Sequence, residues 1–184
     1  MANFELSYQK MLKLEFSSPK NALHKNPGEK GLTFMGIYQS AWPKWQGWSI
    51  VEAYLKEFSS LQEASARLYN NAEIKELVAK FYKEQFWDRA RLDEVLPCSQ
   101  AHLIFCFGVN VGLKVAIKKA QKIIGVSDDG IVGAKTIAAL NGYSPLKFEE
   151  QYRRAFVDYY TRLATSNPKY RVFLTGWLNR VKNT

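Results

Sequence analysis

The stretch FELSYQKMLKLE, residues 4–15, decides the fold of the N-terminal half. Apolar side chains recur in it at three- and four-residue spacing, at Phe4, Tyr8, Met11 and Leu12. This spacing predicts an amphipathic helix with one apolar face, and Glu15, the last residue, projects back onto that face. Because apolar neighbours raise the pKa of a carboxyl group, Glu15 is a candidate general acid. A solvated helix end is the plainer explanation for a Glu at such a position.

The chain turns directly after this acid. Pro19 restricts the residue before it and cannot donate a hydrogen bond, so the helix cannot continue through it. A turn-rich run follows over residues 26–31 (NPGEKG), and residues 32–38 (LTFMGIY) have the composition of a short strand or extended segment. A helix, an acid, a loop and a small β element together predict one wall of a cleft.

Length and charge bound the possible functions. With 184 residues and 47% hydrophobic content, the chain has enough apolar side chains for one ordinary domain or two small ones sharing a core. The net charge of +9 favours a polyanionic partner, such as nucleic acid, an anionic membrane or the bacterial cell wall.

The cysteine and histidine content argues against a metal or cofactor site. Cys98 and Cys106 are the two cysteines, and His24 and His102 the two histidines, which is too few for the usual zinc sites. Cys106 lies in an apolar run, so we expect it to be reduced and buried. The N-terminal residues do not resemble an export signal, so we expect the protein to be made in the cytoplasm and to stay there initially.

Most of the remaining chain has helical spacing. Predicted helices cover residues 49–58, 61–69, 74–87, 99–110, 148–163 and 170–180, with a helix, a turn and a second helix over 115–140. Ser99 is a suitable cap for the helix over 99–110, which should be the central buried helix. His102 on this helix is more typical of a core or rim position than of a catalytic base.

Two shorter motifs could bind a ligand, but each is also explained by an ordinary structural role. Trp42, Trp45 and Trp48 could stack on sugars, but three such rings beside a Pro and a Gly more often fill a core beneath a loop. Asp128 and Asp129 form an acidic turn without the alternating ligands and terminal Glu of a calcium loop. A turn plus a helix cap explains these two acids better.

In order and spacing, these features resemble glycoside hydrolase family 108 over nearly the whole chain. In the first half, the family's pattern corresponds to Glu15, the loop over 26–31, Thr33, and Gly36 with Ile37. The second half resembles the family's C-terminal peptidoglycan-binding domain of the third type and the junction leading into it. That resemblance is carried by Tyr82, Trp87, Asp88, Arg91, Leu96, Pro97, Phe107, Val109, Asn110, Gly112, Gln121, Gly125, Val126, Asp129, Gly130, Gly133, Thr136, Phe173, Gly176, Trp177, Asn179 and Arg180.

The resemblance implies a mainly α, lysozyme-like fold with a small β element near residues 32–39. It also implies an endolysin-type N-acetylmuramidase, which hydrolyses the β-1,4 bond between N-acetylmuramic acid and N-acetylglucosamine in peptidoglycan and so lyses bacteria. In such an enzyme Glu15 would protonate the glycosidic oxygen, and Thr33 would position or polarise a water across the sugar ring.

The sequence departs from the family's pattern at the second catalytic group. Relatives usually have two glycines after the Glu and an Asp in the next loop, whereas Phe16 and Ser17 follow Glu15 here and the loop has no Asp. Glu29, the only acid between Glu15 and Thr33, is a candidate base or charge stabiliser, and an ordinary loop charge is the alternative. The second group is therefore open between Glu29, Thr33 with water, and a group that the sequence does not identify.

Further expectations concern substrate, organisation and partners. Four residues are predicted to contact the substrate: Tyr38, Gln39, Trp42 and Asn110. We expect a lysozyme-like region over residues 1–95 and a helical peptidoglycan-binding region over 96–184, packed as one compact monomer. Peptidoglycan of the periplasmic wall is the expected partner, with anionic envelope polymers possible and no nucleic acid. A noncatalytic peptidoglycan-binding protein and a lytic transglycosylase are the alternatives.

Overall fold

Helices make up most of the chain. The computed structural model describes residues 2–15, 18–26 and 29–184. In this part the α-helices are α1 (Phe4–Glu15), α2 (Gly47–Glu57), α3 (Leu61–Asn70), α4 (Ala72–Tyr82), α5 (Cys98–Val111), α6 (Leu113–Ile123), α7 (Ala134–Gly142), α8 (Pro145–Ser166) and α9 (Arg171–Asn183). The strands are β1 (Leu23–His24), β2 (Thr33–Phe34) and β3 (Ile37–Tyr38), which form one antiparallel sheet. The predicted mainly α, lysozyme-like fold with a small β element is confirmed.

The chain divides into two compact units. The first unit comprises Met1–Met11 and Lys83–Thr184, and the second comprises Leu12–Tyr82. The chain passes from the first unit to the second within α1 and returns after α4. The domain boundary predicted between residues 95 and 96 stays a prediction.

In the second unit, the sheet is built around a tight hairpin. β2 pairs with β1 and with β3, and Thr33 lies opposite His24 on one side and Tyr38 on the other. Between β2 and β3, Met35 and Gly36 have φ values of 44° and 80°. Positive φ at both central residues is what a two-residue type I′ hairpin turn requires. The prediction of a single extended segment over 32–38 is therefore corrected to two short strands and a turn.

Two helix boundaries also differ from the predictions. The helix predicted over 74–87 ends as an α-helix at Tyr82 and continues as a π-helical turn over Lys83–Asp88. The central helix α5 begins at Cys98 with Pro97 at the cap position, and no side chain caps it, so the prediction of Ser99 as its cap is wrong. Pro is tolerated at a helix start because the N–H that it lacks has no partner inside the helix there.

The core of the first unit surrounds α5. Every residue from Gln100 to Gly108 is buried, which confirms the predicted central buried helix. The ring of Phe107 stacks on Phe156 of α8 with centroids 3.8 Å apart. Also on α8, the hydroxyl of Tyr152 donates to the backbone oxygen of Ala116 at 2.9 Å, which ties α6 to the same core.

The acidic turn before α7 is closed by hydrogen bonds. A carboxylate oxygen of Asp129 accepts from the backbone N–H of Ile131 at 2.8 Å and from Nε2 of Gln121 at 2.9 Å. These two donors lower the pKa of Asp129. The predicted turn is confirmed, but the predicted helix cap is wrong, because Gly133 occupies that position and no side chain caps α7.

Cys106 is buried, as predicted, while Cys98 is exposed, and neither forms a disulfide. Within the described ranges, no group of three or more His, Cys, Asp or Glu side chains is placed to hold a metal ion. Nor does that part of the chain contain a helix with the length and apolar character needed to span a bilayer.

Candidate active site

A small hydrogen-bonded cluster lies beside the hairpin of the second unit. Oε2 of Glu29 accepts a hydrogen bond from Nδ2 of Asn26 at 3.1 Å and one from Oγ1 of Thr33 at 3.5 Å. Thr33 is 6% exposed, whereas Asn26 and Glu29 are half-buried. Two donors on one oxygen orient the carboxylate of Glu29. The structure therefore brings together two of the predicted catalytic residues, Glu29 and Thr33.

The hairpin turn that follows Thr33 is held on both sides. The backbone N–H of Met35 donates to the oxygen of Ala22 at 2.8 Å, and the hydroxyl of Tyr82 donates to the oxygen of Met35 at 2.7 Å. Tyr82 is 2% exposed, so this hydrogen bond is made away from water. A buried Tyr hydroxyl that found no acceptor would be costly, so Tyr82 determines where the turn lies.

A second buried contact holds the other edge of the sheet. The hydroxyl of Ser65 in α3 accepts from the backbone N–H of Leu23 at 2.9 Å and donates to the oxygen of Pro19 at 2.7 Å. Ser65 is fully buried. It thus fixes β1, and through β1 the strand that carries Thr33, onto a helix.

Tyr38 and Gln39 hold the loop that enters β2. The hydroxyl of Tyr38 accepts from the backbone N–H of Lys30 at 3.2 Å. Oε1 of Gln39 accepts from the backbone N–H of Leu32 at 3.2 Å, and the N–H of Gln39 donates to the oxygen of Leu32 at 2.9 Å. Both side chains therefore shape the loop, and their contact with substrate stays a prediction.

Trp42, Trp45 and Trp48 pack against other side chains of the second unit, as expected of rings that fill a core. The ring of Trp42 meets Phe81 edge to face with centroids 4.9 Å apart, and its backbone oxygen accepts from Nε1 of Trp48 at 2.8 Å. The ring of Trp45 stacks on the ring of Phe34, with the two centroids 6.2 Å apart. Trp42 remains half-buried, and its predicted contact with substrate stays a prediction.

Asn110 belongs to the first unit, whereas Glu29 and Thr33 belong to the second. Its Oδ1 accepts a hydrogen bond from the hydroxyl of Tyr160, which joins α5 to α8. This contact gives Asn110 a structural role within its own unit. Its predicted contact with substrate is not tested by that role and stays a prediction.

Glu15 is the last residue of α1, the position that the sequence predicts for the acid. On the apolar face of α1, Tyr8 and Met11 are buried, and Phe4 stacks on Tyr8 with centroids 5.4 Å apart. The side chain of Glu15 lies outside the described part of the structure, as do Phe16, Ser17, Pro27 and Gly28. The role of Glu15 as an acid stays a prediction.

Asn26 is the member of the cluster that sequence reasoning missed. It lies three residues before Glu29 and donates to the same carboxylate oxygen as Thr33. The signal in the sequence was its place in the turn-rich run, where Asn is common for backbone reasons alone.

Comparison with known families identifies the chain. Residues 22–112, which include the sheet, the Glu29 cluster and α5, match the family model described as glycosyl hydrolase 108. The chain belongs to glycosyl hydrolase family 108. Residues 115–182 of this family 108 chain match the model of a predicted peptidoglycan domain. The resemblance inferred from the sequence is confirmed, although Glu15 precedes the matched range.

The solved structure of Brucella abortus SagA is similar to this family 108 protein. The two share 23% sequence identity with a TM-score of 0.68, over 97% of this chain and 89% of SagA. At this identity the likeness shows a common fold. No curated protein matches the chain.

The family assignment establishes the general chemistry. The protein is a glycoside hydrolase, and its substrate and partner is peptidoglycan. The hydrogen-bonded cluster of Asn26, Glu29 and Thr33 lies inside the glycosyl hydrolase match, as expected for a site of that chemistry.

Proposed function

We propose that this family 108 enzyme is an N-acetylmuramidase that cleaves the β-1,4 bond between N-acetylmuramic acid and N-acetylglucosamine in the periplasmic wall, and thereby lyses bacteria. The observation that carries the proposal is the hydrogen bond from Thr33 to Glu29 on a fixed hairpin. Glycoside hydrolysis needs a carboxylic acid and a second polar group that prepares the attacking water. Glu29 with Thr33 supplies that second group.

In the proposed reaction, Glu15 transfers its proton to the glycosidic oxygen while the bond from that oxygen to the anomeric carbon breaks. A water molecule held by Glu29 and Thr33 attacks the anomeric carbon. The proton that the water loses passes to the carboxylate of Glu29. The ionised carboxylate also stabilises the positive charge that develops on the sugar ring.

The hydrogen bonds of Thr33 and Glu29 support the roles proposed for them. The hydroxyl of Thr33 donates to Glu29, so its oxygen remains able to accept a hydrogen bond from a water molecule. Asn26 donates to the same oxygen of Glu29 and holds that carboxylate in place. For Glu15 the support comes from the sequence: Phe4, Tyr8 and Met11 define an apolar face on the helix that it ends, and apolar neighbours favour the protonated form of a carboxyl group.

The products released from purified walls test the proposal. A reducing N-acetylmuramic acid end, detected by mass spectrometry, is the expected product of a muramidase. An anhydro end would instead identify a lytic transglycosylase, and bound but undigested walls would identify a noncatalytic binding protein.

The acid is tested by comparing two Glu variants of α1. Glu15→Gln should reduce product release by roughly 10²- to 10⁴-fold, which is the usual contribution of a general acid. Glu5→Gln is the matched control, because Glu5 is exposed on the same helix and its carboxylate accepts from Gln9. Equal activity of Glu15→Gln and the parent protein would refute the assignment of the acid.

A further inference from the structure

A second feature suited to a ligand lies in the first unit, between α6 and α8. It is a groove of about 340 Å³. Its walls combine apolar and charged side chains, namely Lys119, Lys122, Ile123, Ala155, Asp158, Tyr159 and Arg162. All of them lie within the match to the predicted peptidoglycan domain. None of these residues belongs to α1 or to the cluster of Asn26, Glu29 and Thr33.

Lys119, one of the residues that line the groove, is held in place by its neighbours. Its ammonium lies 5.0 Å from the ring centroid of Tyr159 and 5.5 Å from that of Phe156. It also donates to the backbone oxygen of Ala155 at 3.2 Å. Two rings and a carbonyl fix this cation in position but bring no negative charge to it.

Like charges surround Lys119. Burial, and then the positive charges of Arg162 and Lys122, lower the pKa of Lys119, while Asp158 opposes that shift. Three cations therefore face one carboxylate. In the described part of the chain, the side chains of Lys122 and Arg162 form neither a hydrogen bond nor an ion pair. A bound anion would relieve this repulsion.

The peptidoglycan polymer offers one kind of group that fits. Its sugars are uncharged once the lactyl group of N-acetylmuramic acid is joined to peptide, so its free carboxylates lie on the stem peptides. Those peptides are rich in alanine, whose methyl groups suit the apolar residues Ile123 and Ala155 that line the groove. Charge and shape both favour the peptide over the glycan.

We infer that the groove between α6 and α8 binds stem-peptide carboxylates of peptidoglycan, with Lys119, Lys122 and Arg162 as the cationic contacts. This inference rests on the proposed function, in that the wall is the polymer on which the enzyme acts. The groove lies apart in sequence from the Glu29 cluster and in the other compact unit. It holds the wall polymer through its peptides, whereas hydrolysis takes place on its sugars.

Cosedimentation with purified walls tests the groove. The parent chain carries Glu15→Gln so that the wall is preserved, and Lys122→Gln with Arg162→Gln is added to it. Loss of two exposed charge contacts should weaken binding on the order of tenfold at low salt. The matched control is Lys147→Gln with Arg154→Gln, which removes two exposed cations from α8 outside the groove and should leave binding near the parent value.

The ligand is tested with chemically altered walls. Amidation of the wall carboxylates with carbodiimide and methylamine keeps the polymer but removes its negative charge. The parent should then bind about as weakly as the groove variant does to native walls. Undiminished binding to amidated walls, or an equal loss in the control double variant, would overturn the inference.

Vesicles containing anionic phospholipid provide the competing ligand. The groove variant should bind such vesicles as the control variant does. A loss of vesicle binding confined to the groove variant, with wall binding unchanged, would assign the groove to a membrane surface instead.

These outcomes are separate from the test of catalysis. Muropeptides released into the supernatant by the Glu15→Gln protein would contradict the proposed acid, whereas the groove is judged only by the difference in binding between the groove variant and the control variant. Conversely, equal sedimentation of all variants would refute the groove while the muramidase assignment stood.

Discussion

Thr33 and Glu29 lie four residues apart in sequence and are joined by a hydrogen bond of 3.5 Å from the hydroxyl of Thr33 to Oε2 of Glu29. Glu29 belongs to the loop, and Thr33 is the first residue of β2. The contact links a half-buried carboxylate to a buried hydroxyl. The proposed role of Glu29 in this family 108 enzyme rests on this contact.

Loss of the Glu29 carboxylate should reduce catalysis. Glu29→Gln keeps the size of the side chain but cannot take a proton from water, so turnover should fall by about 10²-fold or more. Release of reducing ends from purified walls measures the effect, and Glu52→Gln, an exposed acid of α2, is the control. Full activity in Glu29→Gln would show that Glu29 is an ordinary charge of the loop and takes no part in catalysis.

Two substitutions of Thr33 distinguish the contribution of its hydroxyl group to turnover from that of its methyl group. Thr33→Val removes the hydroxyl and should lower turnover by about tenfold or more, while Thr33→Ser keeps the donor to Glu29 and should retain most activity. The reason is that only the hydroxyl can hold both Glu29 and a water. The opposite order of the two variants would show that Thr33 contributes by packing.

The hydroxyl of Tyr82 should stabilise the hairpin. Tyr82→Phe leaves the oxygen of Met35 without its donor in a buried place, so the free energy of unfolding should fall by about 1–3 kcal/mol. Denaturant unfolding measures the loss. Tyr69→Phe on α3 serves as control, since the cation that lies over its ring, Lys75, interacts with the ring and not with the hydroxyl. Equal stability of Tyr82→Phe and the parent would contradict a role for this bond.

Gln121 should be required for the turn before α7. It is 1% exposed, and its Nε2 donates to Asp129, to the oxygen of Ile131 and to Thr136, while its Oε1 accepts from the N–H of Gly130. Gln121→Leu removes all of these bonds and should lower the free energy of unfolding by about 2 kcal/mol or more. Gln62→Leu, at an exposed position of α3, is the control in the same unfolding experiment.

His102 should make stability depend on pH. Burial, followed by the charges of Lys10 and Arg153, lowers the pKa of His102 to about 4. The unfolded chain, with an ordinary pKa near 6.5, takes up the proton first. Stability is therefore fully present above about pH 6.5 and is lost as the pH falls toward 4, by at most about 3 kcal/mol.

Comparison of variants isolates this contribution from the titration of carboxylates. His102→Gln should show a smaller loss of stability between pH 6.5 and 4.5 than the parent, measured by denaturant unfolding at each pH. His24→Gln is the control variant in the same series. The prediction fails if His102→Gln and the parent lose stability in parallel.

Local patterns predicted much of the molecule. The spacing of Phe4, Tyr8 and Met11 predicted a helix that ends at Glu15, and the structure has that helix. Apolar residues on both sides of His102 predicted a buried central helix, which is α5. Side-chain period and breaking residues act over a few positions, so they can be recognised in the sequence.

Other details depend on residues far apart in the chain. The turn at Met35 is held by Tyr82, which is 47 positions away, and Leu23 is held by Ser65, 42 positions away. Spacing could not predict these pairs, because a hydroxyl finds its acceptor only after the helices have packed. The same holds for Lys119, whose neighbours on α8 became evident only in the folded unit.

The sequence by itself determined most of the helices, the small β element, the position of Glu15 at the end of α1 and the family. Each of these depends on residue type and near-neighbour spacing. Only the tertiary structure decided that residues 32–38 form a hairpin, that Asn26 and Thr33 both donate to Glu29, and that three cations share one groove. Such arrangements require the loop and helices to be brought together, and the free energy for that comes from burial of the core rather than from any local motif.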